Sequence, residues 1–110
     1  LDAARILQVL GNLLENALKF TPARGRVVLR AERVGPDIHV AVSDTGGGIP
    51  ADRLKAVFER FVQAGGRDRR GVGLGLYISR CIVHGHGGRI WAESTLGEGT
   101  TVHFTLPVTA

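Results

Sequence analysis

Residues 8–21 read QVLGNLLENALKFT, and two patterns run through them at once. Ile6, Leu10, Leu13, Ala17 and Phe20 recur at helical spacing, with Leu7, Leu14 and Leu18 beside them, which predicts a helix over 2–20. Asp2 supplies an N-cap and Pro22 ends the run. The second pattern is polar. Gln8, Asn12, Asn16 and Lys19 fall 4, 4 and 3 residues apart and so share one stripe. At the helical rise, Asn12 and Asn16 stand roughly 6 Å apart, with Lys19 about 4 to 5 Å further on. A row of amide oxygens ending in a cation suits Mg²⁺ on substrate phosphates, because that ion takes hard oxygens and keeps several waters. A solvent-facing polar stripe has the same spacing. Two asparagines four apart, however, cost helix propensity that such a stripe has no need to give up.

Beyond this helix, RVVLRAER (26–33) and DIHVAVS (37–43) read as strands, with VGPD between them as a hairpin turn. DTGGGIP (44–50) is a loop, and ADRLKAVFERF (51–61) fits a short helix. VQAGGRDRRGVG (62–73) is a polar, glycine-bearing, lid-like stretch. LGLYISRCIVHGH (74–86) reads as a second long helix ended by Gly87 and Gly88. GRIWAES and GTTVHFTLPV close the chain as two strands around the turn TLGEG. Hairpins rather than strand–helix alternation predict a mixed, largely antiparallel sheet with about three helices on one face, an α/β (α+β) two-layer sandwich.

The glycine run GVGLGL at 71–76 opens the second long helix, a place where phosphate commonly binds. It is not a dinucleotide fingerprint: no strand precedes it, and Gly71, Gly73 and Gly75 have the wrong spacing. Nor is it a P-loop, since Leu74, Leu76 and Tyr77 stand where Lys and Ser/Thr are needed. Alone it is equally a tight turn into a helix. In DTGGGI, Asp44 ends a strand and can accept from an exocyclic amine, while Gly46, Gly47 and Gly48 let a flat base approach the backbone. An Asp-initiated glycine turn is the simpler reading of that stretch alone.

Composition sets the frame for these pieces. The 110 residues, 44% hydrophobic and 22% charged, make one globular domain able to bury a core without staples. No apolar run is long enough for a membrane span, and no signal peptide opens the chain. Cys81 is the only cysteine, which favours a reducing, cytoplasmic setting. The absence of any methionine leads to the expectation of a piece cut from a longer chain. The formal charge of +4 suits a polyanionic ligand, and its one cluster, Arg67, Arg69 and Arg70, precedes the glycine run. Cys81 and Trp91 are expected in the core, and His39 and His103 half-buried in strands.

Taken in order, these stretches resemble one family. QVLGNLLENALKFT looks like the N box of the sensor histidine kinases, DTGGGI their first glycine box, VFERF the F box and GVGLGL the second glycine box. HGGRIWAESTLGEGTTVHFTLP is similar to their closing stretch, so the likeness runs from about Arg5 to Pro107. The resemblance implies a GHKL-superfamily fold over residues 1–110, with ATP and Mg²⁺ as ligands. By carry-over, Asn16 is the metal ligand, Asn12 contacts phosphate or bound water, and Lys19 meets the phosphates. Asp44 bonds the adenine amine, with Gly46, Gly48, Ile49, Phe58 and Thr101 around it. Gly71, Gly73, Leu74, Gly75 and Leu76 face the triphosphate.

The implied activity is transfer of the γ-phosphoryl group to a histidine on a separate dimerisation domain, and through it to a response regulator, with no nucleic-acid or membrane contact by this domain. Asn12, Lys19 and Arg60 are the catalytic candidates. The superfamily's ATPases (gyrase, mismatch-repair proteins, a heat-shock chaperone) carry a general-base Glu where this chain has Asn12, and Glu15 lies about 100° around the helix from Asn16. Gln63 replaces an arginine common in the family, leaving the terminal phosphate to Arg60, Arg67, Arg69 or Arg70. His39, His84, His86 and His103 lack the acceptor's flanking residues, and His86 suits a helix cap. The alternative readings are a degenerate GHKL nucleotide-binding module, a slow ATPase, or an anti-sigma-type serine kinase. Charge alone would also suit a nucleic-acid binder, which explains none of the four boxes.

Overall fold

A computed structural model describes residues 2–49, 54–58 and 74–107. Helix α1 (Ala3–Phe20) starts where the sequence predicts: the Asp2 side chain accepts from the Arg5 N–H at 3.2 Å, satisfying one of the orphan donors of the first turn. Strands β1 (Val27–Val34) and β2 (Asp37–Asp44) form the expected hairpin, with Gly35 at φ +59° in its two-residue turn. A 3-10 turn covers Lys55–Phe58, and α2 spans Leu74–Gly85. Strands β3 (Arg89–Thr95) and β4 (Gly99–Pro107) complete the chain.

The sheet order is β1-β2-β4-β3, and every pairing is antiparallel. The sheet is the largely antiparallel one expected and, among the described residues, antiparallel throughout: β3 lands on the far edge and β4 folds back between β3 and β2, so no two neighbours run the same way. Two α-helices, not three, cover the sheet among the described residues. The helix expected over 51–61 is represented there by the 3-10 turn, and its remaining residues lie outside the described set.

Residues alternate across β4: Thr100, Val102, Phe104 and Leu106 are buried toward the helices. They meet Val40 and Val42 of β2, Val9, Leu13 and Ala17 of α1, Leu76 and Val83 of α2, and Val57 and Phe58 of the 3-10 turn. Leu7 and Leu18, by contrast, are 67% and 65% exposed, because the buried stripe of α1 centres on Val9, Leu13 and Ala17. Cys81 is exposed rather than core, lying about 200° around α2 from the buried Ser79. Trp91 is also not in the core. Its strand neighbours Ile90 and Ala92 pack inward, which turns Trp91 to the outer face.

Candidate functional site

The two helices pack antiparallel, and two contacts between them fix how. At one end the Asp2 N–H donates to His86 Nε2 at 3.3 Å. The other ring nitrogen, Nδ1, donates to the Ile82 carbonyl at 2.8 Å. His86 therefore closes the C-terminus of α2 and ties it to the start of α1, with its proton on Nδ1. Midway, Asn12 Nδ2 donates to Ser79 Oγ at 3.4 Å. Continued along two antiparallel helices, this alignment sets Asn16 and Lys19 at the end where Leu74 and Gly75 begin α2. Asn12 and Asn16 are half-buried and Lys19 is exposed in the last turn of α1.

The same end of the molecule carries the DTGGGI loop. A Cβ on Gly25 would strike both Thr21, just after α1, and Thr45, just after β2, so these two segments touch. Thr45 is also held to the start of β1: the Arg26 N–H donates to Thr45 Oγ1 at 2.8 Å, and the Thr45 N–H to the Arg26 carbonyl at 3.1 Å. Asp44 lies in β2 on the face that the helices cover. Its Oδ1 accepts from the Gly46 N–H at 2.8 Å, which aims the carboxylate along the loop and leaves Oδ2 out of that bond.

The loop is braced from the other hairpin. The Ile49 N–H donates to Ser94 Oγ at 2.7 Å, and the Gly97 N–H to the Gly47 carbonyl at 2.9 Å. Gly48 has φ +81°, and a Cβ there would press on the Thr95 carbonyl oxygen. Gly99, at φ +134°, passes so close that a Cβ would overlap the Asp44 carbonyl. Ser94 Oγ sits 2.9 Å from Thr100 Oγ1 and donates to the Gly99 carbonyl at 3.0 Å.

Register decides which threonine accompanies Asp44. Thr100 is its partner across β2–β4 and shares its face, whereas Thr101 pairs with Ser43 on the opposite face, where the two hydroxyl oxygens lie 2.9 Å apart. The expected Thr101 is thus turned away from Asp44. The alternation of Val102, Phe104 and Leu106 carried the signal for Thr100. Phe58 and Leu76 are core side chains beneath this end of the molecule. Arg60, Gly71 and Gly73 lie outside the described residues, as do Gln63, Arg67, Arg69 and Arg70.

The outer face of the sheet carries a separate cluster. His39 Nε2 and His103 Nδ1 are 2.9 Å apart, Trp91 stacks on His103 with ring centroids 5.0 Å apart, and His103 Nε2 lies 2.6 Å from Glu93. Both histidines are half-buried, as expected of strand residues. Among the described residues no group of three or more His, Cys, Asp or Glu is placed to hold a metal ion, and no helix is long and apolar enough to cross a membrane.

Against known proteins, the model of the family described as "Histidine kinase-, DNA gyrase B-, and HSP90-like ATPase" matches residues 1–110. The adaptive-response sensory kinase SasA of Synechococcus elongatus is 46% identical over 110 residues, which cover 97% of this chain and 28% of that protein. Among solved structures, the mycobacterial sensor histidine kinase MprB superposes with a TM-score of 0.87 at 34% identity, covering 96% of this chain and 74% of that one. Full-length ShkA in complex with AMPPNP gives 0.84 at 37% identity, covering 96% and 22%.

Proposed function

The chain belongs to the histidine kinase-, DNA gyrase B- and HSP90-like ATPase family, in the form that makes the catalytic domain of sensor histidine kinases, and from that premise we propose that it binds Mg-ATP and passes the γ-phosphoryl group to a histidine on a separate helical dimerisation domain. One observation carries the reading: the antiparallel α1–α2 pair and the braced Asp44 loop gather an amide row, a lysine, a helix N-terminus and a carboxylate at one end of the molecule.

In this reading Asp44 accepts from the adenine amine, with the Thr100 hydroxyl beside it and the backbone of Gly46, Gly48 and Ile49 as one wall. Phe58 and Leu76 support the pocket floor from the core. The N–H groups of Leu74, Gly75 and Leu76, which open α2, meet the phosphates, where the helix dipole favours negative charge. Gly71 and Gly73, from the second glycine box, are assigned to the same phosphate contact, and Lys19 adds a point charge. Asn16 is a half-buried amide, and the described residues hold no group of three or more His, Cys, Asp or Glu to bind a metal on their own, so Mg²⁺ would be carried in on the phosphates, with Asn16 as its protein ligand and charge neutralisation as what the ion would supply.

Transfer follows the usual logic of phosphoryl chemistry, in which positioning and charge neutralisation do most of the work. The acceptor imidazole nitrogen forms a bond to the γ-phosphorus as the bond to the β–γ bridging oxygen breaks, and ADP leaves. Arg60 is the proposed partner of the terminal phosphate. Asn12 holds phosphate or its water shell but cannot act as a general base, so hydrolysis is slow and phosphoryl transfer dominates. A response regulator then draws the phosphoryl group from the histidine, in a cytoplasmic relay. The chain spans 28% of the length of SasA, and the acceptor domain belongs to the remainder of such a kinase.

The test is calorimetric titration with a non-hydrolysable ATP analogue, with and without Mg²⁺, followed by label transfer to an acceptor domain supplied in trans. Saturable, Mg²⁺-sensitive 1:1 binding and a labelled histidine are expected. Binding without transfer would leave a nucleotide-binding module, and no binding would overturn the reading.

A further inference from the structure

Ser79 belongs to none of the sequence boxes, yet its position is unusual. It has no exposed surface, and among the described residues only it and Thr100 are buried polar side chains. Thr100 stands beside Asp44, and Ser79 touches Asn12. Each buried hydroxyl thus stands next to a residue of the proposed site. A core hydroxyl is costly unless bonded, and alanine would serve a helix interior better.

The contact has a direction. An asparagine amide presents an acceptor oxygen on one branch and two donors on the other. Ser79 Oγ accepts from Asn12 Nδ2 at 3.4 Å, so the NH₂ branch is turned toward α2 and the Oδ1 branch diverges from it. We propose that Ser79 is a positioning residue for the phosphate site: its buried hydroxyl anchors the Asn12 side chain against α2 and so fixes where that amide meets the hydrated cation on the nucleotide's phosphates. The inference rests on the nucleotide reading above and deepens it. Outer partners that orient a ligand side chain typically matter about tenfold or more in affinity.

The experiment is a double-mutant cycle on this chain. Ser79→Ala, Asn12→Ala and the double variant are titrated with a non-hydrolysable ATP analogue in Mg²⁺ and in EDTA, and the Tm of each is measured without nucleotide. Ser79→Ala is expected to weaken Mg²⁺-dependent binding about tenfold and to have no further effect once Asn12 is alanine. A role in packing alone would instead lower Tm and affinity equally in both backgrounds, which would overturn the proposal. Ser79→Thr and Ser79→Val, matched in volume, give the second arm: binding retained only by the threonine supports it, and equal behaviour sinks it. If Asn12→Ala binds as tightly as wild type, the nucleotide role of Asn12 fails first. If Asn12→Ala weakens binding while Ser79→Ala does not, that role stands and the positioning role is wrong.

Discussion

Thr100 and Thr101 are adjacent in the chain and opposite in the fold, and the difference between them is one step of strand phase. Thr100→Val should weaken nucleotide binding, while Thr101→Val, which loses only the Ser43 hydroxyl contact, should leave it within twofold; titration of both variants checks the register. Asn16→Ala separates function from stability. Mg²⁺-dependent affinity should vanish, while Tm should rise slightly, since alanine is the better helix former by about half a kcal/mol. A fall in Tm would show that Asn16 is a structural residue instead. The residues of the proposed site, the amide stripe and Asp44 with its glycines, stood out by type and spacing, but a polar face and a simple glycine turn share those patterns, and only the family resemblance chose between the readings. Ser79 did not stand out, because a serine inside an apolar helical run carries no mark until its partner on another helix is known.

Elements set where those residues meet. The α1–α2 pair is pinned at Asp2 and His86, and the cap of α1 is itself Asp2. Asp2→Ala should cost about 1 kcal/mol in chemical denaturation. The Gly99 turn is less forgiving. Gly99→Ala drives a Cβ into the Asp44 carbonyl at a φ that alanine rarely adopts, so a loss of about 1–3 kcal/mol is expected, together with weaker nucleotide binding. A variant with unchanged stability would show that β4 can move away from Asp44 freely. Both long helices, all four strands and the 35–36 turn could be read from periodicity and turn chemistry. Of the helix expected over 51–61, the described residues hold the 3-10 turn at Lys55–Phe58.

For the whole molecule, the missing information was order. Two hairpins separated by helices can be laid side by side in several ways, and local pattern does not choose among them; the long-range pairing of β2 with β4 does. That choice makes β4 a central strand and Phe104 the fully buried centre of the core. Phe104→Ala should cost about 3–5 kcal/mol and leave little folded protein at 37 °C. It also explains Trp91: alternation on β3 gave it to whichever face Ile90 and Ala92 did not take, and its ring found His103 rather than the core.

Trp91 is the only tryptophan in the chain, and the sheet stands between it and the helices. The protein therefore carries one indole fluorophore, quenched or brightened by whatever touches the side of the sheet remote from the proposed nucleotide site. Its emission should stay constant through an ATP titration and shift when strands separate. Any change on adding another domain would report docking on that remote side, with no label required.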